Sequence, residues 1–548
     1  MKFSKDNLIF IPLGGSGEIG MNCNLYHYNG TWIMIDLGVM FGNSSMSPNE
    51  LIMPDLSFLE ENKIKLSALI LTHAHEDHIG AVPYLYSQLN NVPIFTTSFT
   101  ASVLKRKFMS NDLKDYDIKL MDYNKQISIG EFVIEIFALT HSIPEPNAII
   151  IKTKKGNIFH TGDWKIDPDP LIGQPIDLEK LKKIKSDGID AMICDSTNVF
   201  NENPSGSEKD VRDVFRKIFS EKKKGKILVT CFASNIARLE TVLKVSEELN
   251  KFCVFAGRSI HRIYESAVEN NYLTNFKNIV TEKEAKVISD DDLVIICTGS
   301  QGEENAALSK LVGGKNKNIE IYKEDLIIFS SREIPGNEKK INFLKESLLK
   351  KNCQYIDHRM AKVHVSGHPS KNELKKMYEW ISPHTVIPVH GEYRHMVEQV
   401  SFAKKSGIKN QVLIQNGDVV KISDCKANIL SKVFSGRNML KGKEIISINS
   451  EIFNRLKYVN SDGEFFVNLI LDLDNKLLND PIIFCPTVSE DEDFIEDVKR
   501  LLVDEINGYG KNFIDDNIIS IELKKLVKKT INKSIGLKPL TYVEIVRI

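Results

Sequence analysis

LTHAHEDHIG, residues 71–80, leaves the apolar run SALILT and places His73, His75, Asp77 and His78 in one short loop. Imidazole is the commonest nitrogen ligand of zinc, and a carboxylate adds a hard oxygen. In a chain leaving a strand, His73 and His75 point the same way, while Asp77 and His78 turn toward a second point nearby. Four ligands this close crowd one ion that must stay open to substrate, so they suit two ions a few ångströms apart. Two sites need more donors than the loop supplies. His141 in FALTHSIPE, Asp163 in IFHTGDWK and His390 in VIPVHGE each follow an apolar strand run and qualify. Any one of these alone is read more simply as a hydrogen-bonded core residue. The HxHxDH group is not, because three adjacent imidazoles without a metal pay desolvation and repel one another on protonation.

The chain has 548 residues, too many for one core. It is 42% hydrophobic and 26% charged, with a formal net charge of −1. That balance argues against binding polyanions by bulk charge and leaves room for a local basic groove. The lysine runs SEKKKGK (220–226) and ELKKLVKKTINK (522–533) read as solvated helix faces. The eight cysteines are scattered without a CxxC pair, which argues against a thiolate zinc site or a disulfide framework. The N-terminus lacks a signal-peptide pattern and no long apolar run occurs, so a cytosolic protein with no membrane span is expected.

Residues 1–205 read as closely spaced strands (NLIFIPL, TWIMIDLG, FVIEIFALTH, NAIIIKT, AMICDST) with few long helices. Over 206–350 helical patterns such as EKDVRDVFRKIFSEKKK alternate with buried-strand runs such as GKILVTC and LVIICTGS. This predicts an α/β unit with a parallel sheet. Strand character returns over 351–423, so the first domain is discontinuous and the α/β unit is inserted into it. Residues 424–450 read as a linker, and 451–548 as a small α/β accessory domain. IPLGGSGEIG carries Gly15, Gly17 and Gly20 in a GxGxxG pattern, yet the strand-like MNCNLYHY follows where a dinucleotide site needs a helix. A glycine-rich hairpin turn near the metal edge is expected instead.

HAHEDH, with the downstream THS, TGD and VHGE segments, resembles the metallo-β-lactamase superfamily. The resemblance implies an αββα sandwich with a dinuclear metal centre at one edge. Position by position, it assigns His73, His75 and His141 to one metal, and Asp77, His78 and His390 to the other, with Asp163 bridging. Asp36, in MIDLG, matches the aspartate that orients the metal loop from behind. Zinc is the expected metal, with manganese as the alternative.

DSTN (195–198), HVSGH (364–368) and VHGE (389–392) resemble the extra motifs of the β-CASP nucleases. TCFASNIAR, CTGSQGE and SSREIPGNE resemble, more narrowly, the bacterial ribonuclease J family. The likeness spans residues 8–423 and weakens beyond, where FCPTVSEDED replaces a more glycine-containing loop. What it implies is a 5′→3′ exoribonuclease that also cuts internally, acting in mRNA decay and rRNA maturation. Two cations acidify a water and neutralise charge on the scissile phosphate. His368, paired with Asp195, is the expected general acid for the leaving 3′-oxygen, and Asp77 completes the catalytic set. A 5′-monophosphate needs donors in a closed pocket, for which Ser234, Asn235, Ser366 and Gly367 offer hydroxyl, amide and backbone N–H groups. His364 contacts phosphate or stabilises its loop; Arg238 and Arg332 add charge or brace the loops. The partner is single-stranded RNA, and the C-terminal domain resembles one used in assembly of a homodimer or homotetramer. Two alternatives stand beside this reading. One is a thioesterase or lactamase on the same metal core, against which DSTN and HVSGH argue. The other is a metal-free RNA-binding scaffold, against which the seven retained ligand positions argue.

Overall fold

Within Asn147–Thr153 (NAIIIKT), Ala148 to Ile151 form an unbroken apolar run because both faces of the strand are covered there. Ile149 and Ile151 join Phe10, Tyr26, Ile33, Ile70 and Ile193 in a core between two sheets. Ala148 and Ile150 join a second core with Leu181 and Ile184 of the helix Leu178–Asp187, and with Leu374 and Met377 of the helix Lys371–Ile381. The computed structural model, which describes residues 4–42, 50–334, 336–423, 425–510 and 515–548, therefore has the αββα sandwich that the resemblance implied. Its first sheet runs in the order Lys426–Lys432, Asp418–Ser423, Leu8–Gly14, Cys23–Tyr28, Thr31–Ile35, Ala68–Ile70, Ile94–Thr96, Ile118–Leu120. The second runs Ile127–Ile129, Phe132–Ala138, Asn147–Thr153, Gly156–His160, Ala191–Asp195, Thr385–Val389, Asn410–Gln411.

Between Ala191–Asp195 and Thr385–Val389, which pair directly in parallel, the chain leaves the sandwich to build another sheet. The order there is Ile279–Val280, Phe252–Ala256, Leu293–Cys297, Ile227–Thr230, Leu326–Phe329, Gln354–Ile356, with every pairing parallel. Helices such as Ile236–Glu248, Arg258–Glu269 and Glu338–Lys350 make the crossovers. This is the β-CASP arrangement, and its last strand lies beyond the expected boundary at 350. Gln354–Ile356 is too short and too exposed to announce itself in the sequence.

The chain divides into two compact units, residues 1–437 and 438–548. The second has a three-stranded sheet in which Glu464–Leu471 lies between Ile482–Phe484 and Leu540–Arg547, over the helices Glu492–Gly508 and Asp516–Ile535. Residues 424–450, read above as a linker, instead carry the strands Lys426–Lys432, Arg437–Lys441 and Glu444–Ser447. The first extends the eight-stranded sheet, and the other two pair with each other. These strands are held by backbone ladders with largely exposed side chains, so no apolar period marks them. The helix Ser98–Ser110 was also missed. Thr100 and Ser102 sit on its buried face among Phe99, Ala101, Val103 and Leu104, which blurs the helical period. No helix among the described residues is long and apolar enough to cross a membrane.

Ile193, wholly buried between the two sheets, tests the sandwich. Ile193→Ala should lower unfolding stability by about 2–5 kcal/mol in urea titration. A loss under about 1 kcal/mol would show that the inter-sheet core is not closely packed there.

Candidate metal centre

Five strand ends meet at one edge of the sandwich. His73, His75, Asp77 and His78 follow Ala68–Ile70, His141 follows Phe132–Ala138, and Asp163 follows Gly156–His160. Asp195 ends its strand, and His390 follows Thr385–Val389. His78 lies on a single helical turn, Glu76–Ile79, which bends the loop back toward the sheet. His390 has φ +51° and its N–H donates to the Gly15 carbonyl at 2.6 Å. The glycine-rich segment is thus a hairpin clasping a site residue, as expected, and no helix follows it. A side chain at Gly15 would meet Asn22 Oδ1 at 2.4 Å, and its φ of +82° favours glycine.

The ligating nitrogens are selected from behind. Thr72 Oγ1 lies 2.9 Å from Asp36 Oδ2 and must donate its only proton to a carboxylate. Its oxygen then accepts from His73 Nδ1, 3.0 Å away. His141 Nδ1 donates to the Gly367 carbonyl at 2.5 Å, and His78 Nδ1 lies 2.7 Å from Asp36 Oδ2. Each of these rings therefore turns Nε2 inward, toward the Asp163 carboxylate. His75 is reversed, with Nδ1 at 3.1 Å from His73 Nε2 and 3.0 Å from His141 Nε2. Asp163 Oδ2 is 3.2 Å from His78 Nε2, 3.4 Å from His390 Nε2, 3.8 Å from His141 Nε2 and 3.9 Å from His73 Nε2. Asp77 Oδ2 is 3.4 Å from His390 Nε2 and 3.6 Å from His78 Nε2.

Two donor cradles result, His73–His75–His141 and Asp77–His78–His390, and Asp163 belongs to both. Donors around a tetrahedral ion at about 2.1 Å lie about 3.4 Å apart, the spacing found here. Asp163 Oδ1 is buried with no hydrogen-bond partner. These residues fit divalent cations. Their electrostatics agree: burial, then His78 and His75, hold His73 well below the usual imidazole range. Burial does the same for His141 and takes His75 down to about 3, so these rings are neutral donors. For His78 and His390, Asp163 and its neighbouring carboxylates outweigh burial and raise the pKa. Asp163 itself is held well below the usual carboxylate range, with His390, His78 and His368 outweighing burial.

Beside the cradles, His368 Nδ1 is 2.8 Å from Asp195 Oδ2 and 3.8 Å from Asp163 Oδ2. Asp195 is wholly buried, and its other oxygen accepts from the Thr197 N–H at 2.8 Å. Against the cost of burial, Asp195 and then Asp163 lift the His368 pKa to about 9. Gly367 lies against His141, where a Cβ would come within 2.6 Å of the ring. Only glycine lets this loop approach so closely.

The residues expected around a phosphate divide. Arg238 is not available to an anion: it is wholly buried, and its guanidinium is spent on Glu208, Ser330 and Val363. It braces, which corrects its placement among substrate contacts. The Asn235 side-chain oxygen caps the helix Ile236–Glu248 by accepting from the Arg238 N–H at 3.0 Å, a bond that does not engage its amide N–H groups. The Ser366 hydroxyl closes a turn with the His368 N–H and carbonyl at 3.1 and 3.2 Å. Ser234 is half-buried, and Arg332 is exposed with a 3.4 Å contact to Asn198. His364 keeps a buried Nδ1 without a partner, and burial, then Arg238 and His358, hold its pKa well below the usual value. Asn22 was missed. Its amide nitrogen reaches the Asp77 carbonyl at 3.1 Å, His390 Nδ1 at 3.0 Å and His78 Nε2 at 3.2 Å. An asparagine in a strand-like run carries no spacing signal that could have found it.

Family models match three stretches: a beta-lactamase superfamily domain over residues 31–198, the beta-CASP domain of ribonuclease J over 224–348, and a Zn-dependent metallo-hydrolase RNA specificity domain over 356–413. Ribonuclease J of Sinorhizobium meliloti is 34% identical, over 99% of this chain and 98% of that protein. Ribonuclease J of Mycolicibacterium smegmatis is 32% identical over 96% and 94%. That of Helicobacter pylori strain 26695 is 33% identical over 87% and 69%. A crystal structure of a protein of unknown function from Enterococcus faecalis shares the fold, with a TM-score of 0.55 at 16% identity, over 76% of this chain and all of that one. With a relationship of that identity running end to end, and with a donor set fit for divalent cations, the chain belongs to the ribonuclease J family and is a metal-dependent ribonuclease.

Proposed function

We propose that the site binds two divalent ions, zinc or alternatively manganese, and hydrolyses RNA from the 5′ end with additional internal cleavage. His73, His75 and His141 would hold one ion and Asp77, His78 and His390 the other, with Asp163 available to both. When bound, the pair supplies Lewis acidity, which activates water and neutralises charge on the scissile phosphate. His368 protonates the departing 3′-oxygen, and Asp195 fixes its tautomer through the 2.8 Å contact at Nδ1, leaving Nε2 for substrate. Cleavage on that side of the phosphorus leaves a 5′-phosphate on the next nucleotide, which makes it the next substrate end. The observation that carries this reading is the convergence of all seven ligand positions beside the His368–Asp195 pair.

A 5′-monophosphate preference follows from a pocket formed by Ser234, His364, Arg332 and the backbone N–H groups at Ser366 and Gly367. His364, whose buried Nδ1 has no partner in the protein, supports this reading as a further polar group for a phosphate. The substrate is single-stranded RNA, and the physiological setting is mRNA decay and rRNA maturation in the cytoplasm. All eight cysteines are free thiols, in keeping with a reducing compartment. The C-terminal unit turns outward a sheet face on which Phe466 stacks on Tyr542 at 4.9 Å, beside exposed Ile482 and Phe484. We read it as the surface that pairs copies into a dimer or tetramer; a monomeric mass by light scattering at micromolar concentration would rule this out.

His75→Ala should lose bound metal and all cleavage, whereas His368→Ala should keep its metal and slow the chemical step by about 10²–10⁴-fold. Metal analysis and single-turnover kinetics on the same samples decide. Full metal in the first variant, or depleted metal in the second, reverses those roles. In a product time course, 5′-monophosphorylated RNA should release mononucleotides while 5′-triphosphorylated RNA yields only internal fragments. Equal mononucleotide release from both would refute end recognition.

A further inference from the structure

Arg238 and Glu208 form a charged pair with almost no exposure, deep in the seam where the inserted domain joins the sandwich. Arg238 Nε and Nη2 donate to the two Glu208 oxygens at 3.1 and 3.0 Å. Its Nη1 donates to the carbonyls of Ser330 and Val363, each at 2.9 Å, and also contacts the Ser330 hydroxyl. That hydroxyl donates to the Val363 carbonyl as well, at 2.7 Å. Burying such a pair contributes little net stability compared with apolar side chains of the same volume. What it supplies is direction, since the guanidinium is a rigid planar fork. Here the fork is aimed at Val363, the residue immediately before HVSGH.

The network continues on both sides. Glu208 N–H donates to Asp167 Oδ2 at 3.3 Å, and Asp167 pairs with buried Lys165 at 3.2 Å. Asp167 N–H donates to the Thr140 hydroxyl, which in turn donates to the Lys165 carbonyl at 2.7 Å. Thr140 precedes His141. On the other side, the loop after Val363 touches His141 through Gly367 and ends at His368, whose carbonyl accepts from Ser205 Oγ at 2.7 Å. One buried polar chain thus joins the backbone beside a metal-cradle histidine to the backbone that carries the proton donor.

We propose that Arg238 and Glu208 are positioning residues of the hydrolytic site, holding the 363–368 loop at the one setting in which His368 meets both Asp195 and the leaving oxygen. This deepens the reading above and rests on His368 as the proton donor. Neither residue touches RNA. Arg238→Lys keeps the charge beside Glu208 but cannot span to both carbonyls. It should lower kcat on single-stranded RNA by about 10–100-fold, the cost of a misplacement of about 1 Å. KM and metal content should hold. Added to His368→Ala it should lower kcat no further, because the group it positions is gone. Ser330→Ala, which removes one donor to the Val363 carbonyl and leaves the ion pair intact, should show a smaller loss with the same dependence on His368. Wild-type kcat in Arg238→Lys, loss of metal, or an equal fold loss with and without His368 overturns the inference. If Arg238→Lys does not fold, the Ser330→Ala pair of measurements decides alone. A His368→Ala enzyme with unchanged kcat instead brings down the proton-donor assignment itself, a separate result from additivity.

Discussion

The Asp163 carboxylate is buried with one oxygen facing five imidazoles and the other facing no partner. Such an arrangement is expensive in an apolar interior unless cations compensate it. Much of the surrounding design follows from that constraint. The five rings come from four separate parts of the chain, so the fold must bring those parts together before the site exists. The outer nitrogens of His73, His78 and His141 are then occupied by Thr72, Asp36 and Gly367, which leaves the inner ones as donors.

The sandwich meets this requirement through the direction of its strands. Phe132–Ala138, Gly156–His160, Ala191–Asp195 and Thr385–Val389 run the same way, so their C-terminal ends deliver His141, Asp163, Asp195 and His390 to one edge. The parallel pairing of Ala191–Asp195 with Thr385–Val389 has a further effect. The inserted domain leaves and returns between two neighbouring strands, so its seam lies beside the site. Hence the loop bearing His368 can be braced from the sandwich side by His141 and from the insertion side by Arg238.

Charge is managed locally rather than globally. The chain is nearly neutral overall, and the charged groups that matter are buried and paired at the seam. Lys165–Asp167 and Arg238–Glu208 contribute geometry more than stability.

The seven positions that converge at the candidate metal centre were legible in the sequence because metal chemistry demands particular side chains at strand ends. His73, His75, Asp77, His78, His141, Asp163 and His390 were identifiable from residue type, from apolar runs and from family resemblance. The alternation of sandwich and insertion was legible too, since apolar periods of strand and helix differ. What the sequence did not reveal depends on contacts between distant segments. Asn22 reaches His78 and His390 only once the hairpin closes, and the strands after residue 424 are held by ladders without an apolar face. Arg238 shows the limit most clearly. Its charge alone favoured an anion contact as much as a brace, and only tertiary packing decided, by burying the guanidinium against a carboxylate and two carbonyls.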